Sequence, residues 1–357
     1  MIVKSRGRMA LLGFVLAGAL AFALSLAEDP ARSWRVYLAS DVYLLSLSLA
    51  AAAFLAVERL SKAAWSASIR RVPEAMVAFL PAGCLLLLLA GFGLDDLYAW
   101  ANAETVAGDH HLARRTLFLN ASLFYAQVVG YGVLWTWLAR RVVREPGRRS
   151  ARSSALFLVV LLFTFTLASV SWILSLDPEW STPLFPWYLL SSVYAGGLGA
   201  IAGLVLLVLP DARIEHRHDL GKFLFAFSVF WGYLWYCQFM LTWYADFPEE
   251  TSHYHLVLSP GWAPWFWITA LLGLAFPFLL LPARAKRNRP LLLAVAAVVV
   301  AAHWLDVLLL VVPAAHGSEA GLGFADLVVG LGFAALFLLL FDLSLRRASM
   351  RAAGEAA

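Results

Sequence analysis

Charge is what this sequence has least of. Only 14% of its 357 residues are Asp, Glu, Lys or Arg and 62% are apolar, whereas a soluble domain is about half apolar and a quarter charged. With a mean hydropathy of +0.77, no water-soluble fold of this length hides so much apolar surface, and the solvent must be lipid. Cysteine is nearly absent. Neither Cys84 nor Cys237 stands in a CxxC or CxxCH pattern, which excludes covalently attached haem and a thiolate-held iron–sulfur cluster in this chain. Only His303 lies clearly inside an apolar run, so the facing histidine pairs that hold a b-type haem are missing as well. Flavin and nucleotide fingerprints are absent. The net charge of +4 would suit nucleic acid, but the placement of the charges points elsewhere.

What the sequence does contain is a succession of apolar runs, each near the roughly 20 residues needed to cross a bilayer core. They are Met9–Leu26, Val36–Val57, Ala75–Leu94, Leu117–Leu138, Ala155–Leu176, Pro186–Leu209, Leu220–Tyr244, Trp262–Leu281, Leu291–Val312 and Leu322–Leu343. The expected fold is therefore an all-α membrane protein of ten transmembrane helices forming one integral domain, residues 1–357. The first run follows Lys4, Arg6 and Arg8 and lacks a convincing cleavage site, so it reads as a retained span. The termini and the even-numbered loops hold 23 of the 27 basic residues; the odd-numbered loops hold only Arg32, Arg35, Arg114 and Arg115. By the positive-inside rule both termini face the cytoplasm, which makes the basic loops topogenic rather than a nucleic-acid surface. The outer loops are acidic and aromatic, as a protein docking face would be and as any outer loop is once basic residues are excluded.

Two spans open alike. Tyr37-Leu38-Ala39-Ser40-Asp41-Val42-Tyr43 and Tyr188-Leu189-Leu190-Ser191-Ser192-Val193-Tyr194 share the pattern Y-L-x-S-x-V-Y, four spans apart and so in the same direction. This suggests two parallel four-helix bundles, residues 36–176 and 186–312, flanked by the first and last spans.

An ionisable side chain at mid-span costs about 2.5–3.5 kcal/mol on insertion scales and needs a reason to be there. At 1.5 Å per residue, Asp306 and Asp41 lie roughly 8 Å, and Asp326 roughly 6 Å, below the outer surface. His303 stands one turn from Asp306, so the two can share a proton between them; they serve equally well as a polar clamp between helices. At the inner end stand Asp219, Lys222 and Asp342. The seventh span is aromatic throughout, and its Trp231, Trp235, Tyr236 and Gln238 could line a slot for a quinone ring or be packed core.

Several stretches together resemble one family: Arg70-Arg71-Val72-Pro73-Glu74-Ala75-Met76, Ser175-Leu176-Asp177-Pro178, His218-Asp219-Leu220-Gly221-Lys222, Trp243-Tyr244-Ala245-Asp246-Phe247-Pro248-Glu249-Glu250-Thr251, and Leu305-Asp306 with Val311-Val312-Pro313. They are similar to the ten-helix F-type quinone-binding membrane subunit of alternative complex III, a quinol:cytochrome c oxidoreductase, and to polysulfide-reductase-type membrane anchors. Gln127 and Glu179 depart from the family pattern, standing where arginine and histidine are usual. The resemblance implies a bacterial inner (cytoplasmic) membrane protein whose partners are a paralogous quinone-binding subunit, iron–sulfur and c-type haem subunits, and lipid. It implies no haem or iron–sulfur cluster in this chain, with quinol or quinone the one small molecule left open. Proton-relay candidates are then Asp306, His303, Asp41, Asp326, Asp246, Glu249 and Asp177, with Asp219 and Lys222 on the inner side. A secondary transporter, and a pure anchor without quinone contact, remain the alternatives.

Overall fold

The computed structural model describes residues 5–63, 65–145, 147–178, 180–315 and 321–355, and among these the regular structure is helical, with no strand. Ten long elements dominate: α1 (Ser5–Glu28), α2 (Pro30–Leu60), α3 (Arg71–Leu97), α4 (Ala121–Arg144), α5 (Arg149–Leu176), α6 (Phe185–Val208), α7 (Ile214–Ala245), α8 (Ala263–Leu280), α9 (Arg289–Val311) and α10 (Phe324–Ala348). Among the described residues, nine of them are long and apolar enough to cross a membrane. The tenth, α4, is 24 residues long but less apolar, since Gln127, Tyr125, Tyr131 and Thr136 dilute its run.

Sequence chemistry marks the helix starts. Asp29 caps α2 by accepting from the Arg32 amide at 3.1 Å, and Pro30 opens the helix. Asn288 caps α9 in the same way, again with a proline in the first turn. Asn120 caps α4. Prolines inside spans break the regular hydrogen bonding, because they lack an N–H and crowd the carbonyl four residues back. Pro81 follows a 3₁₀ turn at Val77–Phe79. Pro277 follows a π-helical turn at Leu271–Ala275, the irregularity that recurs at functional sites.

The central helix is α2, buried along nearly all its length. It packs on α3, α4 and α5 on one side and on α6 and α9 on another. The helix α6 packs on α7 and α9, and α8 packs on α9. Small residues let α6 approach α2: a side chain at Gly197 would collide with Ala50. The helices α1 and α10 pair at the periphery, and the apolar face of α1, with Met9, Leu16 and Leu24 exposed, has no protein cover.

Arginines tie the helix ends. The buried Arg35 points its guanidinium at three helix C-termini, donating to Val311 O of α9 at 3.0 Å and to Leu97 O of α3 and Leu176 O of α5 at 3.5 Å each. A cation there meets the unsatisfied carbonyls and the negative ends of three helix dipoles. At the other end of α2, Arg59 donates to Val143 O at 2.9 Å and to Glu145 O at 2.7 Å, and also bonds Ser150. Arg289 donates to Leu206 O at the end of α6. These residues read in the sequence only as orientation signals; in the fold they are also helix caps.

Candidate functional site

The polar centre of the molecule is Asp306 on α9, only 3% exposed. Three donors converge on it: Tyr188 Oη on α6 at 2.5 Å to Oδ1, Ser192 Oγ one turn along α6 at 2.6 Å to Oδ2, and Trp231 Nε1 on α7 at 3.2 Å to Oδ2. The i, i+4 spacing of Tyr188 and Ser192 puts both on the α6 face that meets α9. Trp231 reaches the acid because Gly273, inside the π-helical turn of α8, leaves room for its ring; a Cβ there would sit 2.6 Å from the indole.

His303 and Asp306 share a helix face as their spacing predicts, but they do not bond each other directly. Ser192 Oγ stands between them, 3.1 Å from His303 Nδ1. With Asp306 ionised, and so only accepting, the single Ser192 proton goes to Asp306 and His303 Nδ1–H donates to Ser192. Nε2 is then the basic nitrogen, fully buried with no protein partner among the described residues. The Trp231 ring packs edge-on against the imidazole at 4.7 Å. The result is a chain of exchangeable protons from His303 through Ser192 to Asp306, with Tyr188 on the far carboxylate oxygen.

Above this cluster lies a cavity of about 20 Å³ bounded by Asp306, Tyr188, Gln238, Thr269, His253 and Tyr254. A void of that size with several polar partners has room for about one water molecule and none for a quinone ring. Its outer wall is the short helix Pro248–Val257, which folds the seventh loop back over the bundle. His253 is buried there and stacks on Trp180, ring centroids 4.0 Å apart; burial lowers its pKa to about 3, so it is a neutral imidazole at physiological pH. Burial, and next the nearby Asp306, raise the Tyr254 phenol.

The other sequence candidates scatter. Gln238 lines the cavity, accepting from Thr182 Oγ1 at 2.9 Å, and Trp235 lies beside it. Tyr236 is on the exposed face of α7 with Phe230, Tyr233 and Tyr244, away from that wall. The helix divides by the usual helical spacing: Leu224, Ser228, Trp231, Gln238 and Thr242 face inward, while Phe230, Tyr233, Tyr236, Trp243 and Tyr244 face out. Asp326 is held by Arg32, 3.2 Å from Nε and 2.5 Å from Nη2, and accepts the Gly323 amide at 2.8 Å, which makes it an interhelical tie. Asp41 is fully buried with neither carboxyl oxygen bonded to protein among the described residues. Asp177 lies beside Arg35 near the end of α5. Asp246 is exposed and ends α7 in the left-handed conformation, φ 49°. Asp219 pairs with Lys222 at 3.0 Å. Glu179 and the side chain of Glu249 lie outside the described residues.

Sequence reasoning did not assign Tyr188 and Ser192 as Asp306 partners, although both belong to the Y-L-x-S-x-V-Y pattern, and that recurrence was the available signal. It also passed over Glu58, buried near the C-terminal end of α2, and read Arg35 only as a loop charge. Among the described residues, no group of three or more potential ligands is arranged to hold a metal ion.

No curated protein matches the chain. Residues 139–316, from the last turns of α4 past the end of α9, match the family model described as polysulphide reductase, NrfD; the stretch that holds Tyr188, Ser192, Trp231, His303 and Asp306 is thus NrfD-like.

Proposed function

We propose that the chain is a multi-pass subunit of a respiratory quinol:cytochrome c oxidoreductase of the alternative complex III type. It scaffolds the complex and handles protons at Asp306. Electrons pass through iron–sulfur and haem groups of partner subunits, beside a paralogous membrane subunit. Proteins of the NrfD family are membrane subunits of redox complexes, which supports the class of assembly. The proposal includes ten crossings, both termini on the cytoplasmic side of a bacterial inner membrane, and the two parallel bundles 36–176 and 186–312.

The observation that carries the proton role is the Asp306 cluster. A carboxylate in a dry interior receives three hydrogen bonds, is joined through Ser192 to a buried imidazole, and borders a water-sized cavity that points to the acidic end. A purely structural tie needs no second titratable group and no void. Trp235 and Gln238 serve this reading as cavity walls. A quinone contact fits better at the apolar cleft of about 410 Å³ between α1, α2, α3 and α10, where Trp34, Tyr37 and Phe333 present rings. The transporter reading calls for breaks in the two repeat-related spans, and both α2 and α6 run unbroken.

The test is Asp306→Asn in the whole complex. Quinol:acceptor turnover is expected to fall at least tenfold while every subunit still co-purifies. Unchanged turnover would reduce the cluster to a helix clamp.

A further inference from the structure

At the end of the molecule where α2 and α4 finish and α3 and α5 begin, a cavity of about 480 Å³ opens between α3, α4 and α10. Four arginines line it, from three helices far apart in sequence: Arg71 at the start of α3, Arg140 and Arg144 one turn apart at the end of α4, and Arg347 near the end of α10. Among the described residues none of the four has an ion-pair or hydrogen-bond partner, while neighbours on the same elements do: Arg70 pairs with Glu74, Arg141 with Glu145, and Arg346 with Asp342. The only carboxylate in the lining is Glu74, the one Arg70 engages. The lining is therefore strongly cationic, with no internal counter-charge for the four arginines.

The lining changes character with depth. Below the arginines come the hydroxyls of Thr136 and Ser344, then the apolar Val77, Ala78 and Pro81. From Arg71 to Pro81 the wall descends about 15 Å at helical rise. An interhelical pocket with guanidinium groups at the bilayer end and an apolar lower wall is complementary to one class of ligand, an amphiphile with an anionic head. A soluble anion would use the rim and leave the apolar wall idle. An acidic protein segment would not be drawn down it.

We propose that this cavity is a binding site for an anionic phospholipid. Its phosphodiester is held by Arg71, Arg140, Arg144 and Arg347, and its upper acyl chains lie against Val77, Ala78 and Pro81. The inference rests on the chain spanning a membrane and is independent of the quinol reading. Such a lipid glues α10, and with it α1, to α3 and α4.

The test uses the full-length chain and the intact complex, purified in neutral detergent. Retained phosphatidylglycerol and cardiolipin are quantified by mass spectrometry, and melting is followed in nanodiscs of phosphatidylcholine with and without phosphatidylglycerol. Wild type is expected to keep about one anionic lipid per chain and to melt higher when phosphatidylglycerol is present. R140Q/R144Q is expected to lose the retained lipid about tenfold, and R140K/R144K, which keeps the charge, to retain part of it. R149Q/R152Q, which removes two arginines outside the lining, is expected to behave as wild type. Equal loss in R149Q/R152Q would show bulk attraction only. Equal stabilisation by inorganic phosphate would show a free-anion site. Lipid retained by the isolated chain but absent from the intact complex would show that a partner's acidic segment occupies the cavity. Each of these three results overturns the proposal.

Discussion

The hydroxyl of Tyr188 donates to the carboxylate of Asp306 over 2.5 Å, joining two helices whose residues are 118 positions apart in the chain. Ser192, one turn further along α6, binds the other oxygen and carries the connection to His303. The α6–α9 contact is thus both a packing seam and a hydrogen-bonded chain of titratable groups, and substitutions can separate its packing from the proton role proposed above.

Ser192→Ala removes the bridge without removing either titratable group. Interhelical hydrogen bonds in membranes contribute about 0.6 kcal/mol each on average, so the melting temperature should move little. If the bridge carries protons, turnover of the complex falls several-fold and its pH profile shifts. A variant with the wild-type profile would show that His303 and Asp306 act apart.

Asp41→Asn bears on the orphaned acid of α2. Its carboxyl makes no bond to protein among the described residues, so the amide breaks no protein hydrogen bond there and melting is expected to change little. Turnover measured beside melting decides whether Asp41 takes part in proton handling: a loss with full stability says that it does.

Arg35→Met strips the cation from the ends of α3, α5 and α9. A cation at a partly buried helix C-terminus contributes up to about 2 kcal/mol, and here three ends share it. A destabilisation of about that size is expected in thermal or denaturant unfolding, with lysine only partly restoring it because one ammonium cannot fork to three carbonyls. A loss no larger than that of Arg213→Met, an exposed arginine on the opposite face, would contradict the capping role.

His253 gives stability a pH dependence of known sign. Its folded pKa is lowered to about 3 by burial while an unfolded histidine titrates near 6.5, so between these values the unfolded state binds the extra proton. Stability from this residue is complete above about pH 6.5 and falls as the pH drops towards 3, by up to about 1.4 kcal/mol per pH unit. His253→Phe keeps a ring against Trp180 and should flatten the acid limb of the melting profile. An unchanged slope would place the titration elsewhere.

Gly18 of α1 and Gly332 of α10 meet so closely that a Cβ on either would lie under 3 Å from the other's Cα. Gly332→Leu is expected to part α1 from α10. Cysteine pairs placed along the two helices would then cross-link poorly, with α2 to α9 still folded. Undiminished cross-linking would mean that the pair has another route to close packing.

Composition alone determined that this chain lives in lipid, because an apolar fraction of 62% is a property summed along the sequence and does not depend on how helices meet. The helices themselves were nearly as legible, since length and apolar runs decide them locally. The run Leu117–Leu138 is a helix in the structure as well, but the polar residues that dilute it leave α4 outside the nine most apolar. Asp306 and His303 could be singled out from the cost of placing them there. Their partners could not, because which face of α6, α7 and α8 turns towards α9 is set by tertiary packing. Tyr236 shows the limit: its aromatic character is the same as that of Trp231, but the rotation of α7 turns one ring to Asp306 and the other outward. The basic residues divide in the same way. Their bias to alternate loops is counted from the sequence, whereas the helix ends that Arg35 and Arg59 cap, and the cavity that Arg71, Arg140, Arg144 and Arg347 share, exist only once distant helices have been brought together.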